Sequence, residues 1–275
     1  MARTSAASVP YATRALVLRV RPLGEKDRIL TLFSPERGRF SAVAKGARGP
    51  KSKHAALSQP FILARFLLNR GRSLDIVNQA EIESAHSNLT GEIFKAAWAS
   101  YGCEIADQTP EGMPDELGFE ILTVFLNTLD GALDSNATEA AGTWFEAQWL
   151  AHQGYSAMIG FCAACGEKIT LSDENQSAQI AFSAPQGGTL CALCARADPA
   201  HFTVAAPSLR ALHRLERSRR APNSLADAPF ELSLRQKGEL GTLLRRSLGH
   251  HMGARLRSQA FLDEVRTAQR LASTN

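Results

Sequence analysis

The sequence predicts an α+β protein of several domains: an N-terminal β-barrel, followed by an α-helical domain that carries a zinc-binding insert with four cysteines. Three observations predict this class. Five short β-prone runs fill the first part of the chain, helical periodicity follows them, and two Cys-x-x-Cys pairs interrupt the helical part.

The barrel is predicted over residues 14–82. Five β-prone runs, RALVLRV, RILTLF, RFSAVA, PFILARFLL and SLDIVNQAEI, are separated by stretches rich in turn-forming residues. Five strands in about seventy residues fit a small closed barrel, and an OB-fold is the commonest basic version of such a barrel. An SH3-like barrel and a plain five-stranded sheet are alternatives that this pattern leaves open.

Helical periodicity begins near Ser84. In the run PDELGFEILTVFLNTLDGAL, four apolar residues recur at four-residue steps, which places Leu117, Ile121, Phe125 and Leu129 on one helix face. The three tryptophans lie in the same helical texture, where core packing is their expected role. The predicted domains are an OB-fold at 1–82, a helical domain at 83–158 and 200–275, and the zinc-binding insert at 159–199.

The insert contains both Cys-x-x-Cys pairs. Each pair can present two thiolates to one metal ion, and two pairs complete a tetrahedral Zn²⁺ site. The 25 residues between the pairs exceed the usual ~15–20, but they can hold a hairpin. Four sulfur ligands fill the coordination shell, so one structural Zn²⁺ per chain is expected. The predicted ligands are Cys162, Cys165, Cys191 and Cys194.

Two other uses of these cysteines compete with zinc binding. Cys-x-x-Cys pairs also occur in disulfide oxidoreductases, but such enzymes need a thioredoxin-like βαβ unit that this sequence does not indicate. Disulfide pairing is disfavoured in a cytosolic protein. The fifth cysteine, Cys103, lies in an apolar helical pattern and is predicted to be buried.

Charge is distributed unevenly along the chain. Residues 1–80 contain 15 Lys and Arg against 4 Asp and Glu, residues 81–160 contain 1 against 13, and residues 161–275 contain 15 against 10. Opposite signs in successive blocks indicate units with different partners, and the first block should attract polyanions. The acidic block should repel a polyanion and steer it to one face, although a solvated helix surface explains this block equally well.

The basic block contains a loop, KGARGPKSK at 45–53, that has neither helical nor strand periodicity. Its cations, joined by two arginines of the preceding turn, offer up to six phosphate contacts that do not depend on base sequence. Phe40 and Phe61 could stack on bases, but they are expected in the strand core. A solvated surface turn is the alternative for the loop. The predicted DNA-binding residues are Arg37, Arg39, Lys45, Arg48, Lys51 and Lys53.

No catalytic site is predicted. The loop ends in Gly-Pro-Lys-Ser, and a proline before the lysine removes a backbone N–H that a nucleotide-binding P-loop needs. The chain contains no G-x-S-x-G or H-E-x-x-H motif, and no His-x-Glu precedes Cys162 as zinc deaminases require.

A cytoplasmic location without a membrane partner is expected. No apolar run approaches the roughly 18 residues that cross a bilayer. The strand pattern starts near Arg14, so little length is left before it for a cleaved targeting peptide.

The N-terminal sequence strongly resembles the bacterial RecO family of recombination mediators. The resemblance is carried by LVLRVRPLGEKDRILTLFSPERGRFSAVAKGARGPKSK and by LSQPF shortly after it. Gly-Glu-x-Asp follows the first strand, Gly38 lies in the next turn, and a basic Lys-Gly-Ala-Arg-x-x-Lys-Ser loop comes third. The cysteine insert and the C-terminal HHMGARLRSQAFL add to the likeness. Where the family usually has a second basic residue after Ala-Arg, this chain has Gly49.

The resemblance implies a DNA repair and recombination protein of the RecFOR pathway, cytoplasmic and associated with the bacterial nucleoid. It implies that the protein binds ssDNA and dsDNA and anneals complementary strands without a nucleotide. It also implies that the protein acts with RecR to help RecA replace SSB on gapped DNA, and that it binds the C-terminal tail of SSB. An RNA-binding protein of translation or transcription, with an OB-like barrel and a zinc ribbon, is the alternative function.

Overall fold

The computed structural model forms two compact units. The first comprises Met1–Asp130 with Ser258–Asn275, and the second comprises Gly131–Arg257. The domain boundaries predicted from the sequence divide the chain differently and stay a prediction. The residues that the structure describes are 9–49, 52, 54–171, 178–218, 232–253 and 256–272.

A closed barrel of five strands forms the N-terminal part of the first unit. Its strands follow the order β1-β2-β3-β5-β4 around the barrel. β3 and β5 pair in parallel, whereas the other neighbours are antiparallel. The parallel pair requires a crossover, as in the Greek-key barrels of the OB type, so the predicted barrel is confirmed and the open sheet is excluded. The strands are β1 (Tyr11–Leu23), β2 (Asp27–Ser34), β3 (Gly38–Ala44), β4 (Leu63–Asn69) and β5 (Asp75–Ser84).

Alternate residues of the strands fill the barrel core. Leu30 and Leu32 on β2, and Phe40 and Ala42 on β3, are almost completely buried because side chains two residues apart share one face of a strand. Phe61 is buried as well. The expectation that Phe40 and Phe61 are core residues is therefore confirmed, and their burial disfavours the alternative that they stack on bases.

Helices complete the first unit. Trp98 is fully buried and lies edge-on to Phe125, with ring centroids 6.4 Å apart. Cys103 is buried as predicted, and burial raises the pKa of its thiol. Within the predicted apolar stripe only Leu117, in the first turn of its helix, is exposed. The helices are α1 (Ser87–Gly91), α2 (Ile93–Ala106), α3 (Glu116–Gly131) and α8 (Arg257–Ala272).

The second unit combines helices with a small three-stranded sheet of order β7-β6-β8. Local sequence signals set several helix ends: the Asp134 side chain accepts a hydrogen bond from the N–H of Ala137, and Ser233 and Gln236 form a capping box. Trp144 and Trp149 are buried, so the expected core role of the tryptophans is confirmed. The elements are α4 (Ser135–His152), β6 (Gln179–Ser183), β7 (Gly188–Leu190), α5 (Ala192–Ala197), β8 (Phe202–Ala205), α6 (Ala206–Arg217) and α7 (Leu234–Met252).

Among the described residues of the two units, no helix combines the length and the apolar character that crossing a bilayer requires.

The segment between α2 and α3 covers the turn between β2 and β3. The N–H of Asp115 donates to the carbonyl of Pro35 at 3.0 Å, and the N–H of Gly112 donates to the carbonyl of Arg39 at 2.8 Å. Gly38, at the start of β3, is buried under this segment with φ of 56°. A Cβ atom at this position would lie 1.8 Å from the carbonyl oxygen of Met113, so only glycine fits.

Replacing Gly38 should destabilise the protein more than replacing Gly24, which has the same backbone conformation but open surroundings. Gly24 has φ of 57°, but a Cβ atom added there would have no other atom within 4 Å, so Gly24→Ala tests the backbone conformation alone. We expect Gly24→Ala to lower the free energy of unfolding by about 1–2 kcal/mol, and Gly38→Ala by about 2–5 kcal/mol because steric overlap adds to it. Urea unfolding measures both, and equal losses would contradict the close packing at Met113.

Candidate nucleic-acid interface and metal centre

The basic loop leaves the barrel at the end of β3. Lys45 follows the last residue of this strand directly, and its side chain is exposed. The side chain of Arg48 is exposed as well, and neither residue forms an ion pair with a described carboxylate. Lys51 and Lys53 lie outside the described residues.

Hydrogen bonds fasten this loop to the turn between β1 and β2. The carboxylate of Asp27 accepts a hydrogen bond from the N–H of Gly46 at 2.8 Å. The N–H of Arg48 donates to the carbonyl of Lys26 at 3.0 Å, and its guanidinium donates to the carbonyl of Gly24 at 2.6 Å. Asp27, the last residue of the Gly-Glu-x-Asp pattern, therefore helps to fix the backbone of the basic loop.

Lys26 is an additional candidate that the sequence analysis missed. Its side chain is exposed, and its carbonyl accepts a hydrogen bond from the N–H of Arg48 in the basic loop. The lysine lies within a stretch interpreted only as a turn, and the sequence gives no sign that this turn meets a loop about twenty residues away. We call the three exposed cations at this end of β3, Lys26, Lys45 and Arg48, the loop patch.

Arg37 lies at the opposite end of β3, in the turn before it. Its guanidinium pairs with the carboxylate of Asp75 at 2.5 Å and also donates to the hydroxyl of Tyr11. The same group stacks over the ring of Phe40, 4.3 Å from its centroid. Because Asp75 is buried, this arginine contributes to the structure of the barrel and its charge is compensated.

Arg39 is also compensated by acidic residues. Its guanidinium donates to the carbonyl of Thr109 at 2.9 Å and lies 3.7 Å from a carboxylate oxygen of Asp107 and 3.8 Å from one of Glu111. Burial raises the pKa of Asp107, although three arginines act in the opposite direction. The structure therefore brings Lys45 and Arg48 together in the loop patch, and it keeps Arg37 and Arg39 apart from them.

The four predicted cysteine ligands converge in the second unit. Their Sγ atoms all lie within 4.8 Å of one another, and those of Cys165 and Cys191 are 3.8 Å apart. A tetrahedron with metal–sulfur bonds of ~2.3 Å has an edge of about 3.8 Å, so the cluster has the dimensions of a thiolate-bound Zn²⁺. The cysteines can therefore hold a metal ion of this kind. They are Cys162, Cys165, Cys191 and Cys194.

Local backbone geometry presents each pair to the cluster. After Cys162 the chain makes a tight turn, in which the N–H of Gly166 donates to the Cys162 carbonyl at 2.8 Å. Gly166 has φ of 78°, a conformation that favours glycine. Cys191 occupies the N-cap position of α5, and this helix carries Cys194 three residues later.

The surroundings of the thiols favour ionised sulfur at one position. Burial opposes ionisation of Cys162, but hydrogen bonds from the backbone of Cys191, Cys165 and Ala164 outweigh it and lower the pKa of this thiol to about 6. Hydrogen bonds with the other three cysteine side chains raise the pKa of Cys194 to about 12. Four adjacent thiolates repel one another, and a bound cation removes that repulsion.

The chain combines a closed OB-type barrel that has exposed loop cations with a second unit in which four cysteines converge. These features define a class of multidomain OB-fold proteins with a cysteine cluster that can hold a metal ion. Comparison with known families narrows this class. Residues 9–86 match the family described as "Recombination protein O N terminal", and residues 91–260 match "Recombination protein O C terminal". The chain belongs to the RecO family.

Individual relatives agree with this assignment over nearly the whole chain. The "DNA repair protein RecO" of Pelotomaculum thermopropionicum is 34% identical over 254 residues, which cover 92% of this chain and 93% of the relative. The protein of the same name from Symbiobacterium thermophilum is 31% identical over 266 residues, covering 94% and 99%. These relatives support a role in DNA repair and recombination.

Removing one thiolate should abolish metal binding. We expect Cys162→Ser to reduce the metal content from one ion per chain to none, because hydroxyl oxygen is a poor substitute for thiolate in a closed sulfur site. The matched control is Cys103→Ser, which alters a buried cysteine outside the cluster. Elemental analysis of the purified chains measures both. Retention of a full metal equivalent by Cys162→Ser would contradict the four-thiolate site.

Proposed function

We propose that this protein is a DNA repair and recombination mediator that binds ssDNA and dsDNA through its barrel and anneals complementary strands. With RecR it promotes the loading of RecA onto ssDNA coated with SSB, and it contacts the C-terminal tail of SSB. It acts in the bacterial cytoplasm, at the nucleoid. It catalyses no covalent reaction, and it needs no bound nucleotide.

The observation that carries this proposal is the loop patch on a barrel of the RecO family. Its three cations are exposed and are not paired with a described carboxylate, so they can neutralise phosphates. Hydrogen bonds hold the backbone of the patch in place, which reduces the entropy lost on binding. Lys51 and Lys53 complete the proposed DNA contacts, whereas Arg37 and Arg39 contribute less because their charges are compensated.

The metal in the cysteine cluster is proposed to be one structural Zn²⁺ per chain. Four sulfur ligands leave no open coordination position for a substrate, so the ion stabilises the insert. The names of the relatives favour DNA over RNA as the nucleic acid, and the RNA-binding alternative therefore has less support.

Reversing the charge of the loop patch should weaken DNA binding and its dependence on salt. We expect Lys45→Glu with Arg48→Glu to lower the affinity for ssDNA about tenfold or more and the slope of log K against log[salt] by about 1.4, since each lost phosphate contact removes ~0.7. Fluorescence anisotropy between about 50 and 200 mM NaCl measures both quantities.

The control for this experiment is Arg65→Glu. Arg65 is an exposed cation of the same barrel, but it pairs with Glu83 at 3.5 Å and lies outside the patch. We expect its effect on the salt slope to be small. An unchanged slope in the loop variant, or an equal loss in the control, would count against the loop patch as the DNA contact.

The annealing activity needs a separate test. Complementary strands, each coated with SSB, are mixed with the protein in the absence of nucleotide, with and without RecR. We expect pairing to be accelerated at least about tenfold because cations on the protein reduce the repulsion between the two phosphate backbones. A rate that does not rise above that of SSB-coated strands alone, or that rises only with ATP, would overturn the proposed function.

A further inference from the structure

The described cations of the barrel differ in whether a carboxylate pairs with them. One class is held in ion pairs with carboxylates of the same unit, at distances between 2.5 and 3.8 Å. Arg21 lies within electrostatic reach of Asp107, and Arg28 donates to the carbonyl of Ser58. The ion-paired class comprises Arg14, Arg19, Arg37, Arg39 and Arg65.

Apart from Arg21 and Arg28, the described cations of the barrel that lie outside the ion-paired class form two groups. The first is the loop patch. The second consists of Arg70 and Arg72, in the short loop between β4 and β5, whose side chains are exposed. Neither arginine forms an ion pair with a described carboxylate. We call Arg70 and Arg72 the second patch.

The loop that carries the second patch has a fixed backbone. Gly71 separates the two arginines, and its N–H donates to the carboxylate of Asp75 at 3.1 Å. A Cβ atom on Gly71 would lie 1.8 Å from the carbonyl oxygen of Leu74, so the loop closes too tightly for any other residue. The two arginine side chains therefore project from a defined turn.

An aromatic ring lies beside the second patch. The ring of Tyr11 is half-buried against the barrel core. The guanidinium of Arg70 lies 5.8 Å from the centroid of this ring, and that of Arg37 lies 4.9 Å from it. Arg70, unlike Arg37, has no described carboxylate partner, and aromatic rings beside such cations are a combination with which barrels of this type bind single strands. Loops between β4 and β5 contribute to ligand binding in OB-folds generally.

The two patches lie at opposite ends of β1. The guanidinium of Arg70 lies over the ring of Tyr11, the first residue of this strand. The loop patch is hydrogen-bonded to the turn that follows Leu23, the last residue of the strand. The patches are therefore separate groups of cations on the barrel.

We propose that the second patch is a separate nucleic-acid contact and that each patch holds the phosphate backbone of a different strand. Two strands repel each other through their phosphates, and two fixed groups of cations on one barrel would hold both strands while their bases pair. The inference rests on the proposed DNA-annealing function and assigns residues and stoichiometry to it.

The test counts strands bound per chain. The probe is a labelled thymidine oligonucleotide of about eight nucleotides, within the usual site size of one OB-fold. We expect the full-length wild-type chain to bind two oligonucleotides, and one to remain bound both in Arg70→Glu with Arg72→Glu and in Lys45→Glu with Arg48→Glu. Native mass spectrometry and tight-binding fluorescence titration measure the stoichiometry.

Annealing is measured on the same variants. We expect each double variant to anneal complementary strands at least about tenfold more slowly, although each still binds one strand. The matched control is Arg14→Glu with Arg65→Glu, which reverses the same number of charges on ion-paired cations of the barrel. Circular dichroism and the midpoint of thermal unfolding establish that all variants are folded.

The outcomes separate this inference from the proposed function. If the wild type anneals and the variant at Arg70 and Arg72 anneals at the same rate, the assignment of the second patch as a DNA contact is wrong, and the proposed function stands. If the wild type binds one oligonucleotide and both double variants weaken that single event, the two patches form one track and the assignment of one strand to each is overturned. If the wild type neither binds nor anneals, the proposed function itself fails.

Discussion

The barrel depends on one buried carboxylate, that of Asp75. It accepts hydrogen bonds from the hydroxyl of Tyr11 on β1, from the guanidinium of Arg37 in the turn between β2 and β3, and from the N–H of Gly71 between β4 and β5. Asp75 also begins β5 opposite Ala42, in the short parallel pair that closes the barrel. An unpaired buried carboxylate would be very costly, so these donors must stay in place for the barrel to close. Closure of the barrel and the conformation of two surface loops are thereby coupled through a single side chain.

Arg37 with Asp75 is one of several ion pairs within the first unit. Because of these pairs, the formal charge of the barrel overstates the charge that it can offer to a ligand. Residues 1–80 contain many more cations than anions, yet several of these cations neutralise carboxylates within the same unit, some of them from the acidic block. Asp107 and Glu111 of that block pair with arginines of the barrel. The acidic block therefore does more than form a solvated helix surface. It neutralises particular arginines of the barrel and leaves the loop cations, to which we assign the proposed contacts with DNA, without a described carboxylate partner.

The sequence was sufficient for the parts of this structure that depend on local patterns. Alternation predicted the five strands, and the spacing of the Cys-x-x-Cys pairs predicted the convergence of four sulfur atoms. Ion pairing was not predictable in the same way. Arg37 and Arg48 look alike in the sequence, each beside a glycine in a basic turn or loop, but one is paired with Asp75 and the other is exposed. The difference arises from contacts between residues far apart in the chain, which only the closed barrel defines. Lys26 and Arg70 were missed for the same reason.

The cysteine cluster satisfies a different requirement from the barrel. The three-stranded sheet of the second unit has strands of only five, three and four residues, too short for stability without further support. The hydrophobic cluster around the cysteines consists of Cys162, Leu190 and Ala195, with a few half-buried neighbours. A core of this size cannot offset the conformational entropy of ordering the segment, and a metal bound by the four thiolates would supply the missing free energy. Cys162 belongs to this core and Cys191 and Cys194 pack against it, whereas Cys165 is exposed. A stabilising role is therefore sufficient to explain the cluster without any contact between the proposed metal and a ligand.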